Sequence, residues 1–98
     1  MPRTAALHAH AAIQLGELRA ANRDWAGALV PLLAVADSLP GDRLAPLARQ
    51  RAGEALLRLG DARRALGQFE ECLARYPRAW NAPEVRRQAE RLRRELRL

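Results

Sequence analysis

The chain has no lysine. All 17 of its basic side chains are arginines, set against 11 carboxylates, for a net charge of +6. A GC-rich genome produces such a bias. So does an acidic partner, because the arginine fork matches carboxylate and phosphate geometry. Aromatic residues make up only 4% of the 98 positions, which argues against a β-sandwich or barrel, whose strands favour them. β-Branched residues are also few, whereas Ala, Leu and Arg, the strongest helix formers, are abundant. The one cysteine, Cys72, excludes an internal disulfide and carries no information about an oxidising compartment. No secretory apolar core is present in Met1–His8, and no run approaches transmembrane length. The expectation for the chain as given is therefore a soluble cytoplasmic protein without membrane insertion. Periplasmic placement is expected if it belongs to a larger envelope protein.

Apolar residues form 49% of the chain and charged residues 29%, the balance of a globular protein and not of a disordered one. Ninety-eight residues correspond to one domain, 1–98, with a modest core.

An internal repeat emerges at an offset of 37, which is the difference between the paired positions. Gly16-Glu17 falls on Gly53-Glu54, Asp24 on Asp61, Ala28-Leu29 on Ala65-Leu66, Pro40 on Pro77 and Ala45-Pro46 on Ala82-Pro83. Glycines, prolines and small residues coincide, and these set backbone geometry. Repeat one covers about 4–40 and repeat two about 42–77, followed by a capping helix at about 81–98.

Each unit reads as two helices. The first runs from near Thr4 to Ala21, with Leu7, Ala11, Leu15 and Leu18 at helical spacing. Asp24 is a good N-cap for the second, whose inner faces carry Trp25, Ala28, Leu29, Leu32, Leu33, Val35 and Ala36. Leu39-Pro40-Gly41 breaks it. In unit two, Asp42 is expected to cap a helix through Leu59, burying Leu44, Ala48, Ala52, Ala55, Leu56 and Leu59, with Pro46 harmless in the first turn. Gly60 reads as a left-handed C-cap, and Asp61 caps a helix striped with Ala65, Leu66, Phe69, Cys72 and Leu73. Asn81-Ala82-Pro83-Glu84 resembles a capping box. It opens a fifth helix with Val85, Ala89, Leu92 and Leu96 on one side and charge on the other, including the i,i+4 pairs Arg86–Glu90, Glu90–Arg94 and Arg91–Glu95.

These residues resemble the tetratricopeptide repeat (TPR). That pattern has a Gly midway in its first helix, Gly-Asp at the turn, then Ala, an aromatic, a small residue and a closing Pro. Unit two supplies Gly53, Gly60-Asp61, Ala65, Phe69, Cys72 and Pro77. Unit one supplies Leu15-Gly16, Asp24-Trp25, Ala28, Leu32, Val35 and Pro40. The segment from Tyr76-Pro77 to Ala82-Pro83-Glu84 is similar to the longer-repeat subclass of bacterial envelope and outer-membrane assembly proteins. The likeness spans roughly residues 9–90. It implies an all-α fold of five antiparallel helices in a right-handed stack of helical hairpins, with Trp25 and Phe69 filling gaps between them. Four features depart from the pattern. Arg19 and Leu56 replace the first-helix aromatic, Arg23 replaces the turn Gly in unit one, Pro31 sits inside the second helix, where removing the hydrogen bond to Gly27 should kink or delay it, and only two full units are present.

No chemistry-bearing motif is evident: no phosphate-cradling loop, no serine nucleophile and no His-Glu-x-x-His. His8 and His10 stand two apart, pointing about 200° away from each other on a helix, so they do not chelate one metal. Cys72 lies on the apolar stripe and reads as an inert core thiol. Glu17 and Glu54 are repeat equivalents expected near each other on one face. No cofactor, metal, catalytic residue or small-molecule substrate is expected.

In the resembled family the first helix of each unit lines a concave groove that binds other proteins. Carried over, the partner-binding groove comprises His10, Ile13 and Glu17 from unit one, Gln50, Glu54, Leu57 and Arg58 from unit two, and Arg87, Arg91 and Arg94 from the last helix. Ala20, Ala21 and Leu47 stand beside them. The Lys and Asn clamp of chaperone-tail receptors is absent. The implied function is a scaffold or adaptor for a peptide or another protein. The alternative is that the Arg-rich C-terminal helix contacts nucleic acid or another anionic surface. Otherwise that helix is a solvated cap, since no aromatics follow Trp80. Helix one, with Ala5, Ala6, Ala9, Ala11, Ala12 and Ile13, is apolar over most of its circumference. It is expected to pack on a second copy as a homodimer, or on the rest of a longer array.

Overall fold

The structure, a computed structural model, describes the backbone of residues 2–98 and the side chains from His8 onward. The expectations placed on the side chains of Ala5, Ala6 and Leu7 lie outside the described residues. Five helices make up the chain among the described residues: α1 (Pro2–Ala21), α2 (Trp25–Ser38), α3 (Ala45–Arg58), α4 (Ala62–Arg75) and α5 (Ala82–Leu96). There is no strand among them, so the fold is all-α. Each helix packs on the next, and α1 also touches α3. The odd helices thus form one row and the even helices the other, in a slab of 43 × 31 × 17 Å. No helix in the described residues is long and apolar enough to cross a membrane.

The 37-residue repeat is written into the backbone. Asp24 (φ −90°, ψ 73°) and Asp61 (φ −100°, ψ 72°) hold the same conformation and accept from Gly27 N and Arg64 N as N-caps. Each such cap stabilises a helix by about 1 kcal/mol. Leu39 and Tyr76 end α2 and α4 with matching torsions, their N–H groups donating to the carbonyls of Val35 and Cys72. Even the turn before the second helix agrees: Gly60 has φ 81°, the left-handed conformation glycine favours. Arg23, its equivalent, adopts φ 62° with a side chain, which strains it by about 1 kcal/mol.

Two helix crossings are closed by glycine. A Cβ on Gly53 would lie 2.5 Å from the Phe69 ring, and one on Gly16 would lie 2.7 Å from Leu32 Cγ. Phe69 and Leu32 are repeat equivalents, and both are fully buried. The core runs along the slab through Ile13, Leu32, Val35, Leu56, Phe69, Val85 and Leu92, with alanines at the close approaches. Ala28 and Ala65 both have 0% exposure, as expected at crossings.

Pro31 lies inside α2, which runs on to Ser38. The carbonyl that it deprives of a donor, Gly27 O, accepts from Arg19 Nη1 at 3.0 Å. The residue that departs from the pattern in α1 thus answers the residue that departs from it in α2.

Several expectations are corrected. α3 begins at Ala45 with Leu44 at the cap position, and not at Asp42. Two successive turns, Asp42 N to Leu39 O and Ala45 N to Asp42 O, precede it. The Asp42 carboxylate accepts from Leu44 N at 2.8 Å within them. Asn81 makes no side-chain cap on α5. Its amide turns inward, because buried carbonyl oxygens there need a donor. Of the three i,i+4 pairs expected on α5, Arg91–Glu95 is formed, while Arg93 reaches across to Glu70 on α4. Leu59 is 46% exposed. The leucine stripe of α1 is not its buried face: Leu15 and Leu18 are 40% and 61% exposed, and Ala9, Ile13 and Gly16 are buried instead. Ala9 and Ile13 are therefore already covered by the chain's own core and are not available to an outside partner.

Candidate functional site

The inner edge of the odd-numbered row carries a continuous hydrogen-bonded chain of side chains. Asn81 Nδ2 donates to Gln50 Oε1 at 2.9 Å and to the Pro46 carbonyl at 3.1 Å. Gln50 Nε2 donates to Gln88 Oε1 at 3.0 Å, and Gln88 Nε2 to Glu54 Oε2 at 2.9 Å. Arg51 Nη1 donates to Glu54 Oε1 at 2.8 Å, and Arg51 Nε to Glu17 Oε2 at 3.2 Å. This chain ties α5 to α3 and α3 to α1. Partial burial works against the charge on Arg51, yet Glu54 and Glu17 hold its guanidinium above the usual arginine pKa. The two glutamates do meet on one face, joined by the Arg51 guanidinium.

Beside this chain the row opens into two cavities. The larger, about 380 Å³, lies between α1 and α3. Gly16, Ala20, Leu32, Ala55 and Leu57 give it an apolar wall, and Glu17, Arg51, Glu54 and Arg58 ring it, with Trp25 at one end. The smaller, about 260 Å³, lies between α3 and α5 among Leu57, Gln88, Arg91, Leu92 and Glu95. The two are repeat equivalents. Ala20, Arg51, Glu54, Ala55 and Arg58 of the first correspond, 37 residues on, to Leu57, Gln88, Arg91, Leu92 and Glu95 of the second. The first is roomier where alanines stand in place of leucines.

The expected groove residues divide. Glu17, Glu54, Leu57 and Arg58 line the first cavity, and Leu57 and Arg91 the second. Ile13, 3% exposed, belongs to the core. Gln50, 2% exposed, is spent on Asn81 and Gln88. His10, Arg87 and Arg94 are exposed and line neither cavity. Arg51, Gln88, Asn81 and Trp25 were not foreseen as members of this face. Arg51 had a signal: it stands one helical turn before Glu54, the repeat equivalent of Glu17. Gln88 and Asn81 had none, because their partners lie 31 to 38 residues away.

Two further clusters can be placed. His8 and His10 are both exposed on α1, and no group of three or more His, Cys, Asp or Glu side chains converges among the described residues. Cys72 is buried, its Sγ 3.6 Å from the Pro46 carbonyl. Burial pushes its thiol pKa up, and Arg49 offsets part of that. A thiol held protonated is a poor nucleophile. Arg49 is itself buried, donating to the Ala36 carbonyl and to Gln68 Oε1, with Asp37 at 3.5 Å.

No protein-family model, curated protein or solved structure matches the chain.

Proposed function

We propose that the chain is a protein–protein interaction module, a short TPR-type stack that takes a peptide or a segment of a partner protein along α1, α3 and α5. It acts as a scaffold or adaptor and not as an enzyme. The observation that carries this reading is the repeated cavity: the same register positions open on successive units, each with an apolar wall and a charged rim. A ladder of sockets one repeat apart suits a chain segment with spaced apolar anchors. The polar chain from Asn81 to Glu17 supports the reading by fixing the three odd helices relative to one another, so that the sockets are formed before a partner arrives.

The test is selection from a displayed library of random short peptides. Selected peptides should bind the purified chain and lose about tenfold or more in affinity when Ala20→Trp fills the first cavity, with helicity unchanged by circular dichroism. Selected peptides that ignore Ala20→Trp, and also ignore Glu54→Arg with Leu57→Ala, defeat the reading.

A second reading rests on α5 and its C-terminal cap, where Arg86, Arg87, Arg94 and Arg97 are exposed and carry no ion pair among the described residues. Such a face would contact nucleic acid or another anionic surface. Sub-micromolar binding of duplex DNA at about 150 mM salt, abolished by Arg91→Glu with Arg94→Glu, would put it first.

A further inference from the structure

The first cavity is electrically lopsided. Its carboxylates are spent: Glu54 receives Gln88 and Arg51, and Glu17 receives Arg51. Away from those carboxylates' partners stands Trp25, half-buried, with the Arg58 guanidinium carbon 5.4 Å from its ring centroid. A second recess adjoins the cavity there, formed by Ala20, Ala21, Arg23, Trp25 and Arg58. Ala20, Trp25 and Arg58 line both hollows. Neither Arg23 nor Arg58 has a carboxylate partner among the described residues. The nearby Asp24 carboxylate is taken up by Gly27 N at the start of α2.

The geometry points to an acidic peptide as the occupant: a bulky aliphatic side chain fills the cavity against Leu32 and Leu57, and an adjacent Asp or Glu side chain meets Arg58 and Arg23 beside Trp25. This inference rests on the interaction-module reading and gives its partner a chemistry. The Arg58 guanidinium lies within cation–π range of Trp25, and no carboxylate among the described residues takes its N–H groups, which leaves them to receive a carboxylate through two bonds. The excess of positive charge over the whole chain, +6, draws an acidic segment to it. Arg23 comes from a backbone position that glycine fills in unit two. The second cavity carries Glu95 at the position of Arg58, so the acidic preference belongs to the first socket alone.

Trp25 is also the reporter. In a Trp80→Phe background it is the sole tryptophan, and its fluorescence reads occupancy of the socket. Peptides selected from a displayed random library are titrated against this variant, alone and with Arg23→Glu and Arg58→Glu together. The expected result is enrichment of net-negative sequences that carry Leu, Ile, Met or Phe, a change in Trp25 emission on binding, and a loss of about tenfold or more on charge reversal. Selected sequences that are neutral or basic would overturn the inference. So would acidic ones that ignore the charge reversal yet fail on Ala20→Trp, while leaving the interaction module standing. Peptides indifferent to Ala20→Trp as well would overturn both. A duplex oligonucleotide that competes at Trp25 as well as the peptides do would replace the acidic peptide with nucleic acid.

Discussion

The two ends of the slab are built from the same template and finished differently. α3 has a neighbour on each side, and its sequence serves as the reference. Its positions Ala48, Ala52 and Ala55 are buried. Their equivalents on α1, which has no preceding hairpin among the described residues, are Ala11, Leu15 and Leu18, and all three are exposed. On α5 the same positions are Val85, Ala89 and Leu92, buried again beside α4. α3 turns its other side, Arg49, Gly53 and Leu56, inward. On α5 those positions are Arg86, Glu90 and Arg93, exposed and charged. The α5 end is therefore chemically finished, whereas the α1 end presents leucines where an interior unit has covered alanines. In a repeat fold an interior face left apolar is the face that takes another unit.

The comparison can be broken first at the α1 end, where the largest effect is expected. If a second copy covers Ala11, Leu15 and Leu18, the chain should sediment as a dimer at micromolar concentration, an association of about 8 kcal/mol. Leu15→Glu with Leu18→Glu should return it to a monomer with its helicity intact. A wild-type chain that sediments as a clean monomer defeats the contact. A double variant that still dimerises moves it elsewhere.

The next largest effect separates the two glycine crossings. Gly53→Ala should destabilise by about 2 kcal/mol, because the enclosed Phe69 ring has nowhere to go. Gly16→Ala should cost less than about 1 kcal/mol, since Leu32 can rotate and alanine improves helix propensity. Thermal melts check both, at about 4–8 °C per kcal/mol for a domain of this size. Equal losses would mean that the two units do not differ as described.

A double-mutant cycle sharpens the account of Pro31. Arg19→Ala should cost about 1 kcal/mol by removing the donor to the Gly27 carbonyl. In a Pro31→Ala background, where the backbone at position 31 supplies that donor, the same change should cost little. Additive losses in urea melts would show that Arg19 and Pro31 are uncoupled.

The smallest effect lies at the paired turns. Gly60→Ala should cost about 1 kcal/mol at φ 81°. Arg23→Gly should gain no more than about 0.5 kcal/mol, because relief of strain at φ 62° is offset by the added freedom of the unfolded chain. A loss on Arg23→Gly would mean that the arginine side chain holds the turn.

The fold was legible because its signals are local. Asp24 and Asp61 before apolar runs, Gly60 at a turn and Pro46 in a first turn each act through bonds to residues a few positions away. Where a side chain had a distant alternative, the local reading failed: Asn81 caps nothing, because Pro46 O and Gln50 Oε1 claim its amide. Of the residues that the family resemblance assigned to a groove, Glu17, Glu54, Leu57, Arg58 and Arg91 are found lining a cavity. Ile13 and Gln50 are not, since a helical register says that two residues share a face but not whether another helix covers it.

The 37-residue period, with its caps and breaks, was determined by sequence alone, because turn torsions and capping bonds close within a few residues. Which apolar stripe of α1 is buried was decided only by tertiary structure. Leu15 and Leu18 satisfy helical spacing as well as Ala9 and Ile13 do, and the choice between them depends on where α2 lies. The tertiary structure also decided that Arg51 would join Glu17 to Glu54, and that Ala20 and Ala55 would leave a cavity in one unit that Leu57 and Leu92 narrow in the next. A cavity is a difference between the volumes of residues from separate helices, and no single stretch of chain carries that difference.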